Sequence, residues 1–192
     1  MRRLLALTIL LASSSAIGQS DFQTGAYVGV GLKHSSFEAK NYPPLVFDDS
    51  GAGPHIYGGF RFSDTFAFEA AHTRLTSLSM TDSGFTNLLG NYSATVTGDF
   101  DVTSVRLLAY TGRVMFGLGY FDAGITQHLT GVSQSFGSFS ADLSDSDNGL
   151  TYLFGGEWPV KDWAIRAEFE WIHTQNVYEA WNFGVGAHYK WK

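Results

Sequence analysis

The chain has 192 residues, of which 16% are aromatic and 22 are glycine, and only 16% are charged where soluble domains usually carry ~25%. Cysteine is absent, which excludes a disulfide framework and a lipid-anchored N-terminal Cys, so strand pairing and packing have to supply the stability. The net charge of −6 argues against nucleic acid as a partner, since phosphate binding needs a basic patch and none appears in the sequence.

The first segment has a basic start (Arg2, Arg3), an apolar run from Leu4 to Ala12 and a small polar stretch ending Ala16-Ile17-Gly18. That order is a secretory signal peptide, and small residues at Ala16 and Gly18 place the expected cleavage after Gly18. The apolar run is about half the ~20 residues a membrane-spanning helix needs. No later window reaches ~18 consecutive apolar residues, so a helical membrane protein is excluded. The expected organisation is a signal peptide over 1–18 and one domain over 19–192.

Residues 27–33 alternate strictly, with Val28, Val30 and Leu32 on one face and Gly29, Gly31 and Lys33 on the other. Period two predicts a strand. The pattern returns in 56–62 and, after Ser63-Asp64-Thr65, in 66–71; a short polar link between alternating runs predicts a hairpin. Two more hairpins follow, 105–110 through Thr111-Gly112 into 114–120, and 152–158 through Pro159 to Asp162 into 163–171. The last strand is 183–191. Between the tight turns lie polar segments at 35–53, 76–100, 123–149 and 174–180, expected to be loops that are mobile or only partly extended. Eight strands joined by alternating short and long connections predict an all-β fold, an antiparallel up-and-down transmembrane barrel with both termini on the periplasmic side.

In 163–171 one face is Trp163, Ile165, Ala167, Phe169 and Trp171, and the other is Ala164, Arg166, Glu168 and Glu170. An Arg facing lipid at mid-bilayer costs ~2–4 kcal/mol, so the charged face must point into the lumen. The opposite polarity, a soluble lipocalin-like barrel, is disfavoured by where the glycines and aromatics fall. Glycine facing water weakens a strand without return, whereas in a narrow lumen it makes room for longer neighbours. Tyr120, Trp158, Trp163, Trp171, Tyr189 and Trp191 stand near the ends of the apolar faces, where an aromatic girdle is expected. The predicted lumen set is Lys33, Arg61, Arg106, Arg166 and Lys190 against Glu69, Glu157, Glu168 and Glu170. Near balance of charge predicts a salt-bridged plug over a wide pore.

With these strands in place, the chain resembles the small OmpA/OmpX-type outer-membrane β-barrel superfamily. The likeness is carried by 27–32, 57–71, 116–120, the Trp-x-x-Arg-Ala-Glu-Phe run from Trp163 to Phe169, and a last strand ending Tyr189-Lys190-Trp191. That strand looks like the C-terminal signal read by the barrel-assembly machinery, except that Lys192 follows the final aromatic. The resemblance implies a Gram-negative outer-membrane location, contact with membrane lipid and lipopolysaccharide, a monomer, and a role in envelope integrity, adhesion or surface interaction through the loops. Its motifs specify architecture more than activity. A narrow channel for small solutes and a lipid A-modifying hydrolase are the rival functions.

The enzymatic candidate is His173, at the outer end of the seventh strand, where lipid A deacylases of similar size place a His and Ser pair. No Ser stands two residues after it, and Thr174 as the next strand residue points to the opposite face. The segment from Asp142 to Gly149 invites a calcium reading but fails the EF-hand spacing, and is read as a solvated acidic loop. His34, His55, His72, His128 and His188 are scattered without ligand spacing. No metal, cofactor or catalytic residue is assigned.

Overall fold

Eight antiparallel strands follow one another around a closed barrel, each paired with its sequence neighbours and the last with the first. They are β1 (Gly25–Ala39), β2 (Asp48–Arg61), β3 (Phe66–Thr86), β4 (Gly90–Thr111), β5 (Val114–Ser133), β6 (Gly137–Val160), β7 (Trp163–Thr174) and β8 (Tyr178–Lys190). The structure is a computed structural model that describes residues 24–39, 48–86, 88–174 and 178–191. The expected signal peptide at 1–18 lies outside the described residues.

Starting at Tyr27, the ladder partners run Gly59, Glu69, Arg106, Gly119, Thr151, Ile172 and Ala180, and return to β1 at Phe37. The stagger from Tyr27 to Phe37 tilts the strands and fixes a bore that side chains can fill. Two of the periplasmic turns are two residues long. Gly112-Arg113 joins β4 to β5 with Gly112 at φ 61°, and Lys161-Asp162 joins β6 to β7 with Lys161 at φ 58°. A positive φ at the first turn residue matches the twist of the flanking strands. Pro159, expected in the last of these turns, is instead in β6 opposite Ala164. The first turn is held by Ser63, whose Oγ accepts the backbone N–H of Phe66 at 3.0 Å.

The segments expected as loops at 76–100 and 123–149 are mostly strand. β3 and β4 stay paired up to Thr86 and Gly90, and β5 and β6 up to Ser133 and Gly137. Pairing of β3 with β2 ends at Thr73, and that of β6 with β7 ends at Gly149, so β3 to β6 leave the barrel together as a four-stranded sheet. A register shift between Leu75 and Leu78 marks where β3 loses its β2 neighbour. The outer face of this sheet is rich in Ser and Thr, as in Thr95, Thr97, Thr126 and Thr130. β-branched threonine supports strand, yet offers no apolar alternation for a sequence reading to follow. The acidic run Asp142 to Gly149 is likewise part of β6. The segments 35–53 and 174–180 are shortened from both sides by β1, β2 and β8, whose ends reach Ala39, Asp48 and Tyr178.

The polarity is that of a membrane barrel. Val30, Leu32, Phe60, Phe68, Leu107, Leu118, Ile165, Phe169 and Phe183 are exposed on the outside, while Lys33, Glu69, Arg106, Arg166 and Glu168 are buried within. A soluble barrel would invert this.

Candidate functional site

The lumen is filled by charged and apolar side chains. Toward the periplasm, Tyr27, Tyr57, Leu108, Tyr110, Met115 and Leu153 form a cluster of tyrosines and apolar side chains. At the outer end, Leu75, Phe100, Val102, Phe121, Ala123, Ile172 and Ala180 form a second apolar cluster. The charged layer lies between them.

Three carboxylates and three cations interlock in that layer. Glu69 on β3 meets Arg106 on β4 at 2.9 Å, takes Arg166 on β7 through both oxygens, and accepts the Tyr27 hydroxyl at 2.9 Å. Glu168 on β7 is 2.8 Å from Lys33 Nζ and 2.7 Å from Arg166 Nη2. Glu170, two residues along the same face, is 2.6 Å from Lys33 Nζ and 3.1 Å from Arg106 Nη1, and accepts Thr151 Oγ1 at 2.6 Å and Asn182 Nδ2 at 3.2 Å. Each of these charges has opposite-charge partners, so the desolvation cost of burying it is offset by short contacts on several sides. The Arg166 guanidinium also lies 4.8 Å over the Tyr57 ring.

The remaining predicted lumen charges stand apart, at the periplasmic end. Glu157 is 3.0 Å from Lys190 Nζ and 3.4 Å from His188 Nε2, and accepts the Tyr110 hydroxyl at 3.4 Å. Arg61 ties the first turn, donating to the carbonyls of Asp64 at 2.7 Å and Ser63 at 3.3 Å, with its guanidinium 3.9 Å over Tyr110. Sequence reasoning missed His55 and His188, which sit inside: His55 bonds Thr73 at 2.8 Å and lies 3.4 Å from Glu168. His55 shares its strand parity with Gly59 on β2 and His188 with Lys190 on β8, a signal available in the sequence had it been followed along each strand.

Wall glycines make room for this filling. A Cβ on Gly119 would stand 2.7 Å from Arg106 Cγ, and one on Gly29 would stand 2.7 Å from His188 Cβ. At Gly184 the same atom would be 3.1 Å from Glu168 Cγ and 3.3 Å from Lys33 Cε.

On the outside, the six aromatics expected as a girdle fall at two levels. Trp158, Trp163, Tyr189 and Trp191 stand at the periplasmic ends, with the Trp163 and Tyr189 rings 5.4 Å apart. Tyr120 and Trp171 stand toward the outer end. There Trp171 stacks between Tyr152 at 5.3 Å and Trp181 at 5.4 Å, two aromatics the sequence reading left out. His173 faces outward beside this group, its ring 5.4 Å from Trp171. It points away from the lumen. Among the described residues no cluster of His, Asp and Glu has the geometry to hold a metal ion.

The family model of the outer membrane protein beta-barrel domain matches residues 4–190 of the sequence. The chain belongs to this family. It is thus an integral outer-membrane β-barrel, located in a Gram-negative outer membrane. Among solved structures, the barrel is similar to the attachment invasion locus protein Ail of Yersinia pestis, in complex with the heparin analogue sucrose octasulfate. The TM-score is 0.57 at 13% identity, covering 88% of this chain and 100% of that one. It is also similar to Neisserial surface protein A, with a TM-score of 0.52 at 15% identity, covering 87% of this chain and 97% of that one. At such identities these likenesses concern the fold. No curated protein matches the sequence.

Proposed function

We propose that this outer-membrane barrel is closed to solutes, has no enzymatic step, and acts at the cell surface through the sheet that β3 to β6 raise above the membrane. The observation carrying this reading is the filled lumen: interlocked buried charges and the side-chain clusters on either side of them occupy the bore, which argues against a continuous water path. Function is then left to the surface outside. The six-residue girdle is the membrane anchor, the outward apolar face is the lipid contact, and β8 is the strand offered to the assembly machinery of a monomer.

The raised sheet is acidic. Its outer portion carries Asp82, Asp99, Asp101, Asp122, Asp142, Asp145 and Asp147, against Arg74 as the one Lys or Arg among its described residues. This favours a basic partner and argues against carrying over to this chain the polyanion seen with Ail, since like charges repel across an interface. Conductance in planar lipid bilayers tests the closed state. The reading expects no steps at 100 mV or so; stable unitary steps from the folded protein would replace it with the channel reading.

A further inference from the structure

The raised sheet changes character along its length. Its charges sit in the lower part, whereas no Asp, Glu, Lys or Arg occurs over 83–98 or 123–141, the stretches that include both hairpin tips. Of the carboxylates flanking these stretches, Asp82 accepts the Tyr92 hydroxyl at 2.9 Å and Asp142 lies 2.6 Å from His128.

The two tips are tied side by side. The Gln134 N–H donates to the Asn91 carbonyl at 2.9 Å and the Ser135 N–H to the Leu89 carbonyl at 3.3 Å, while Ser133 Oγ accepts the Phe136 N–H at 2.9 Å. The turn carrying Leu88 therefore stands beside the turn carrying Phe136. Leu88 is 72% exposed and Phe136 64%, with Val132 of β5 just below at 59%. Tyr120, at the outer level of the aromatics, and Ser133, below the tip, are both on β5. At ~3.3 Å per residue and a tilt of ~45°, the stretch between them lifts the tip roughly 30 Å above that level. Leu88 and Phe136 are out of reach of the acyl chains of their own membrane.

We infer, on the reading that the raised sheet is what acts at the cell surface, that its tip dips into an apposed membrane whose surface is zwitterionic phospholipid. Three side chains on a narrow convex end present far less than the ~800 Å² that each partner of a stable protein pair buries. A second copy meeting it tip to tip would do no better. A bilayer needs no matching cavity, because its acyl chains close around an apolar end and bury it on all sides. The tip has no Lys or Arg to hold anionic headgroups, and the Asp residues beneath it repel them, which selects a zwitterionic surface. Each insertion is shallow, and many copies on one cell act together.

The test holds the folded protein in a non-ionic amphipol, couples it densely to beads through its periplasmic N-terminus, and measures capture of fluorescent protein-free vesicles. Vesicles of phosphatidylcholine should be captured and those of phosphatidylglycerol should not. The double variant Leu88→Ser/Phe136→Ser should capture about fivefold fewer phosphatidylcholine vesicles or worse, since the buried apolar area is what holds them. Leu88→Ile/Phe136→Leu should retain capture, which separates lost apolar surface from a tip that fails to form, and Asp142→Asn on the charged part should change nothing. A polarity-sensitive dye on Ser135→Cys should shift to the blue on contact with phosphatidylcholine. Undiminished capture by the serine double variant, no blue shift, or capture of soluble copies of the protein in place of vesicles would overturn the inference. Capture confined to vesicles carrying a cationic lipid and indifferent to the tip would overturn it too, while leaving the acidic sheet as the working surface.

Discussion

At the scale of single residues, the barrel is most sensitive where one side chain serves several charges. Arg106 touches both Glu69 and Glu170 and is fully buried. Arg106→Met would leave both carboxylates short of a partner in a low-dielectric lumen, at a cost of about 3–5 kcal/mol in urea unfolding from lipid vesicles. An unchanged unfolding midpoint would mean that water reaches the carboxylates and screens them. Which residues face inward was readable from parity alone, because charge and glycine share one face of each strand. Who meets whom was not: Lys33 and Glu170 are 137 residues apart, and nothing local in the sequence encodes a contact across the bore.

At the scale of elements, the membrane-spanning parts of the strands were legible and the rest was not. Lipid forces an apolar residue at every second position, so 163–171 announces itself. Above the membrane both faces meet water, at least in part, and Thr95-Val96-Thr97-Gly98 reads as a polar loop although it is paired strand in β4. The same logic separates two substitutions. Phe169 is 42% exposed on the lipid face of β7, and Phe169→Arg should cost about 2–4 kcal/mol if it sits near the bilayer centre. Ser138→Arg, near the tip of the β5–β6 hairpin, should leave assembly unchanged. The yield of heat-modifiable, outer-membrane-localised protein on a gel without boiling measures both; equal yields would contradict the placement of β7 in lipid.

At the scale of the whole molecule, closure of the sheet removes every edge inside the membrane, and the filled bore removes the pore. What remains open is the acidic sheet raised on one side, where, among the described residues, β3 beyond Thr73 pairs only with β4 and β6 before Gly149 only with β5. The central claim is that the lumen is filled and closed to water at its charged centre, and the absence of cysteine permits a clean test. Thr151 is fully buried beside Glu170, and Ser135 lies at the exposed tip between β5 and β6. Single-cysteine variants Thr151→Cys and Ser135→Cys, folded into vesicles and exposed to a small water-soluble cationic thiol reagent, should differ completely. Rapid labelling at 135 with none at 151 until the barrel is unfolded is the expected result; labelling of the folded protein at 151 at a rate near that at 135 would contradict it.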